Sequence, residues 1–243
     1  MKPRTLSSLW IFFLCLFPIG SVSAKNNSDT CSADKPVTAE YKITIKTGRH
    51  LTEKMLQLSR YKQQVAIHYP QSNVTELWEK TKNEKLHLIR IFEEHKRGIE
   101  YQPSEIKGSH DWSMKQQLIS NIALSNMTLN NTTGESCSLL KNYSRKTTKG
   151  ETQIKWLANR ALIHSYIEIN KNRKTTWILV SSNTETESIA NKFNTLNSYD
   201  TTDYTDIGDN ESDPFLMGMI NLGFIEGHSH GFYDSDGNEI GGH

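Results

Sequence analysis

Tyr41-Lys42-Ile43-Thr44-Ile45-Lys46-Thr47-Gly48 decides the fold class. Its alternation with period two sends Tyr41, Ile43 and Ile45 to one face of a strand and Lys42, Thr44 and Lys46 to the other, and Thr47-Gly48 supplies a turn. Working outward, residues 55–61 and 64–69 read as the next two strands, the second with Val65, Ile67 and Tyr69 on one face before Pro70 stops it. Residues 73–78 break the alternation and read as a short helical segment. Residues 86–92 and 98–101 then form an antiparallel pair around the charged turn 93–97.

The best helix is 111–124, where Trp112, Gln116 and Ile119 fall at helical spacing and Ser109 or Asp111 can cap the start. Residues 127–135, rich in Asn and Thr, read as a loop. Strands follow at 138–145, 153–157, 162–169 and 176–180, with a polar hairpin turn at 170–174. A second helix covers 185–196, with Ile189, Phe193 and Leu196 four and three apart. Strands outnumber helices and short turns join them. The fold class expected is therefore α+β, mainly antiparallel β: a curved sheet or half-barrel of hairpins covered by two or three helices. In element order alone, strands first with helices inserted, the chain resembles the half-barrel carriers of bacterial lipoproteins.

The N-terminus addresses the chain for export. Lys2 and Arg4 precede an apolar run from 9 to 19, and Val22-Ser23-Ala24 offers small residues to a signal peptidase, so 1–24 reads as a signal peptide. The run falls short of the roughly 20 residues that span a bilayer, so no transmembrane anchor is expected after cleavage. Bulky Leu14 before Cys15 argues against a lipid anchor there. The expected organisation is one β-rich domain over 25–225 and a His/Asp/Gly-rich C-terminal hairpin or flexible tail over 226–243. Cys31 and Cys137, the cysteines left after cleavage, are expected to form a disulfide in an oxidising compartment, periplasmic or extracellular.

Charge divides the chain in two. Residues 25–192 hold 26 Lys and Arg against 17 Asp and Glu, whereas 193–243 hold ten acids and no Lys or Arg. The mature chain is then 26 minus 27, or −1, and nucleic-acid binding is not implied. Seven N-x-S/T sequons are present, in a chain rich enough in Asn, Ser and Thr to produce them by chance.

Two stretches of the acidic end could hold a cation. Asp203, Asp206, Asp209, Glu211 and Asp213 lie in a dense acidic run suited to Ca²⁺, although Asp213-Pro214 is also a helix cap followed by proline at the first helical position. An apolar face from Phe215 to Phe224 would then make a third helix. His228, His230, Asp234, Asp236 and His243 offer imidazole and carboxylate donors for Cu²⁺ or Zn²⁺, and Asp234-Ser235-Asp236-Gly237 competes as an ordinary hairpin turn. No cofactor is required by the sequence.

No G-x-S-x-G elbow, H-E-x-x-H pair or phosphate-binding loop is present. Three functions stay open: an exported non-catalytic binding or accessory protein holding an apolar ligand or lipoprotein-like partner on a curved sheet, a divalent-metal-binding protein using the acidic, His-bearing end, and a hydrolase whose site is assembled from distant residues.

Overall fold

The computed structural model describes residues 31–221, except 107 and 211. The expected signal peptide and the tail carrying His228, His230, Asp234, Asp236 and His243 lie outside the described residues. Twelve strands form one curved, unclosed sheet, antiparallel at every pairing but one. In chain order they are β1 (Val37–Thr47), β2 (His50–Tyr61), β3 (Gln64–Tyr69), β4 (Val74–Lys80), β5 (Leu86–Phe92), β6 (Arg97–Tyr101), β7 (Thr128–Thr133), β8 (Leu140–Lys146), β9 (Gly150–Leu157), β10 (Leu162–Asn170), β11 (Arg173–Asn183) and β12 (Asp200–Asp203). Their order across the sheet is β12-β6-β5-β4-β3-β2-β1-β11-β10-β9-β8-β7, two hairpin meanders joined where β1 pairs with β11.

Four short helices cover parts of this sheet: α1 (Trp112–Gln117), α2 (Asn121–Ser125), α3 (Thr186–Leu196) and α4 (Pro214–Asn221). The helix expected at 111–124 is two. Asp111 caps α1 by accepting from Ser113 N, Leu118 turns left-handed at φ 61°, and Ser120 caps α2 by accepting from Ala123 N. Ile119, between the two helices, is buried in the core.

Three further expectations change. Residues 74–78 are strand, after a turn at Asn73: β4 shows no alternation because Val74 to Trp78 are all buried, with packed layers on both faces. The loop expected at 127–135 contains β7, a polar, wholly exposed edge strand hydrogen-bonded to β8. Part of the acidic run forms β12, which lies parallel to β6 with Asp200 opposite Arg97 and Asp203 opposite Glu100. A 3-10 segment, Tyr204–Asn210, follows, and then α4 with Asp213 accepting from Phe215 N as the cap read from the sequence. Cys31 and Cys137 form the expected disulfide, tying the chain start to the entry of β8 across a separation of 106 residues.

Candidate functional site

Because side chains alternate along each strand, the sheet has two faces, and their chemistry differs. The inner face takes Tyr41, Ile43 and Ile45 from β1, Leu56 and Leu58 from β2, Val65 and Ile67 from β3, Trp78 from β4, Leu88 from β5, Ile99 and Tyr101 from β6, Ile154 from β9 and Trp177 from β11. All are nearly inaccessible, filled in by α1, α2, the 3-10 segment at 204–210 and α4 through Ile119, Ile207, Leu216 and Met219. The face is closed by the chain's own side chains.

Four charged residues are buried in this apolar layer. Glu76 stands opposite Arg90 in the β4–β5 register, 3.7 Å away with both side chains 4% exposed, and it accepts from Trp78 Nε1 at 3.1 Å. Lys115 comes down from α1 with its ammonium 4.0 Å from the Trp78 ring centre, a cation-π seat beside the same carboxylate. Burial pushes the Glu76 carboxyl up, against the pull of Arg90 and Lys115. Arg60 donates to the carbonyls of Gln116, Ala161 and Arg160, so one guanidinium joins α1 to the β9–β10 turn across the inner face. Burial lowers its pKa to about 10, which leaves it charged at neutral pH.

The outer face is itself divided. Over β2 to β5 it is covered by α3, whose Ile189, Phe193 and Leu196 pack on Ala66, Leu77 and Ile91. Glu185 caps this helix by accepting from Glu187 N and Ser188 N. At the margin of α3, Lys192 donates to Ser59 Oγ at 3.1 Å and to Gln57, and desolvation lowers its pKa. Gln57 and Ser181 donate to Glu40, and a cavity of about 270 Å³ opens beside Lys192. Farther along, Glu93 accepts from Thr75 and lies 3.2 Å from His68 Nδ1, and the hydrogen bond with His68 is the main reason its carboxyl is held below the ordinary range.

Over residues 42–46 of β1 and over β8 to β11, no helix among the described residues lies on the outer face, and it is lysine-rich. A larger polar cleft of about 580 Å³ opens there, with Asn142, Ser144, Gln153, Lys155 and Ser165 among its walls. Sequence reading missed this surface because its lysines are scattered over four strands that only the sheet register aligns.

Of the second acidic cluster, Asp203 and Asp213 have separate partners. Asp203 accepts from the Thr205 amide and hydroxyl at 3.0 and 2.8 Å and from Gln102 at 3.3 Å, and the Thr205 amide is the main reason its carboxyl is held low. Asp213 pairs with Arg97 at 2.8 Å, and that contact holds its carboxyl low. Asp206 lies exposed on the 3-10 segment, and Glu211 and the side chain of Asp209 are outside what the structure describes. Among the described residues no group of three His, Cys, Asp or Glu is placed to hold a metal ion. Acidic and imidazole groups adjacent in the sequence at 93–95 and 110–111 take different partners: Glu93 turns to His68, His95 packs at 5.1 Å from the Phe215 ring, and Asp111 caps α1. No helix among the described residues is long and apolar enough to cross a membrane.

No protein-family model matches the chain, and no curated protein matches it in sequence. Solved structures of similar shape include an outer membrane lipoprotein-sorting protein domain from Vibrio parahaemolyticus, at 5% identity and TM-score 0.33 over 69% of this chain and 95% of that one. A DUF1329 family protein from Desulfovibrio piger is similar at 8% identity and TM-score 0.33, over 65% and 89% of the two chains. A LolA superfamily protein from Nitrosomonas europaea is similar at 6% identity and TM-score 0.26, over 64% and 89%. At these scores no residue role and no ligand passes from them to this chain.

Proposed function

We propose that the protein is an exported, non-catalytic binding protein that takes an apolar ligand, or the acyl chain of a lipid-bearing partner, on the inner face of its sheet. The observation that carries this reading is the cover of that face. The six-residue α1 lies over Trp78 and the five-residue α2 packs Ala123 and Leu124 against the same core, and helices so short have almost no stability of their own. What seats α1 includes polar contacts, Lys115 on Trp78 and Arg60 on the Gln116 carbonyl, whose groups are rehydrated when the helix lifts. Buried charges are a poor way to gain stability and are better suited to defining one closed position. An apolar ligand enters by displacing α1 and α2, since the face is otherwise filled. Export is supported by the sequence of residues 1–24 and by the disulfide.

The test is a titration with a fluorescent single-chain fatty acid kept below its critical micelle concentration. The reading expects saturable binding at one site, strengthened in Lys115→Ala, which loosens the seat of α1. Absence of binding in both proteins, with the variant shown to be folded by circular dichroism, overturns it.

A further inference from the structure

We infer that the acidic C-terminal segment, 222–243, docks on the uncovered outer face of β1 and β8 to β11 in the same molecule. The sheet register builds that face as three cross-strand rows. One runs Leu51, Lys46, Lys174, Ile169, Glu151, Lys146; the next Glu53, Thr44, Thr176, Ile167, Gln153, Ser144; the third Met55, Lys42, Ile178, Ser165, Lys155, Asn142. Five lysines therefore share the face with two glutamates. Lys42 pairs with Glu53 at 2.8 Å and Lys146 with Glu151 at 3.5 Å, which leaves Lys46, Lys155 and Lys174 with no ion pair among the described residues. Between them Leu51, Ile169 and Ile178 are 62%, 42% and 45% exposed, large aliphatic groups in water on a sheet face that nothing described covers.

The segment beyond α4 has the complementary chemistry. Residues 222–243 carry Glu226, Asp234, Asp236 and Glu239, no Lys or Arg, and the apolar side chains of Phe224, Phe232, Tyr233 and Ile240. Its attachment point is held beside β5 and β6, where Phe215 packs on Phe92 and Asp213 pairs with Arg97. From β5 to β11 is five steps in the sheet, about 24 Å at about 4.8 Å per strand. The 22 residues after Asn221 extend to about 70 Å, enough for that distance and for passage around the strand ends. Tethering also places the carboxylates near the lysines at millimolar effective concentration, so individually weak contacts suffice. The polar cleft that includes Lys155 and Ser165 gives the segment a recess, which a flat sheet face would lack.

Zero-length carbodiimide cross-linking of the dilute full chain tests this, with peptide mapping on a mixture of ¹⁴N- and ¹⁵N-labelled protein. The expected products join Lys46, Lys155 or Lys174 to Glu226, Asp234, Asp236 or Glu239 within one isotope, and they are lost in high salt. In parallel, acetylation of the same three lysines should run several-fold faster in the full-length variant Glu226→Gln/Asp234→Asn/Asp236→Asn/Glu239→Gln, while Lys82 and Lys85 in the distant β4–β5 hairpin keep their rates. Cross-links only between the two isotopes would assign the face to a second copy and overturn the intramolecular docking. Absence of these cross-links together with unchanged acetylation would overturn the docking altogether.

Discussion

The two meanders of this sheet are built from similar hairpins and buried differently. β2 to β5 lie between two layers, with the helical cover of the inner face on one side and α3 on the other, and β4 is buried from Val74 to Trp78 without a break. β7 to β11 have a packed inner face and a wet outer one: β10 and β11 expose Ile169, Ile178 and Val180, and β7 is exposed throughout. One helix of eleven residues makes the difference. The layered meander is where packing holds the fold, and the one-sided meander is where surface is free to be used.

The largest effect expected is at the bond that ties the two meanders together. Replacing Cys31 and Cys137 by Ser releases a loop of about a hundred residues, with an entropic ceiling of about 4 to 5 kcal/mol. Urea denaturation should show a midpoint lowered accordingly. An unchanged midpoint would mean that the packing between the halves suffices alone.

Next come paired substitutions that set the meanders against each other. Phe193 of α3 is 1% exposed, so Phe193→Ala should cost about 3 to 5 kcal/mol, whereas Ile178→Ala should cost less than about 0.5 kcal/mol once the acids of segment 222–243 are neutralised and the outer face of β11 is open. Equal costs would show that the outer face of β11 is covered in solution. In the natural sequence the docked segment 222–243 should add to the cost of Ile178→Ala, and a cost that is the same with and without the neutralised acids would count against the docking.

A smaller effect, and one with a definite sign, is expected from Glu76. Burial raises its carboxyl pKa above the ordinary 4.5, so the folded protein binds a proton that the unfolded chain releases. Its contribution is thus complete below the ordinary carboxylate pKa and is lost as pH rises from there through the raised value. Glu93 and Asp213, held low by His68 and Arg97, act in the opposite direction and lose their contributions as pH falls below the ordinary range. The stability of the natural protein minus that of Glu76→Gln should therefore decline between pH 4 and neutrality in urea titrations. A rising difference would contradict the burial of the charge.

The comparison also explains what the sequence could and could not disclose. A one-sided strand can announce itself: the alternation of β1 is visible in the residues because it has one wet face. β4 hides, since burial on both faces removes the polar half of the pattern and leaves a run that reads as helix. β7 hides for the opposite reason, being polar on both faces and held by edge hydrogen bonds to β8. Caps were legible, as Asp111 and Asp213 show, because they depend on neighbours two residues away. The buried group of Glu76, Arg90 and Lys115 was not, because its members come from three elements and meet only through strand register and the placement of α1. The acidic run was read as a unit, and the fold separates it, with Asp203 going to a turn and Asp213 to a cap and an arginine.

The central claim is that α1 and α2 are the movable cover of an apolar binding face. Amide hydrogen exchange of the full-length protein, with and without a single-chain fatty acid below its critical micelle concentration, tests it most directly. The account predicts that the ligand speeds exchange across Trp112–Gln117 and Asn121–Ser125 while β3 to β5 stay protected. Unchanged or slower exchange in both helices, at ligand concentrations that saturate binding, would contradict it.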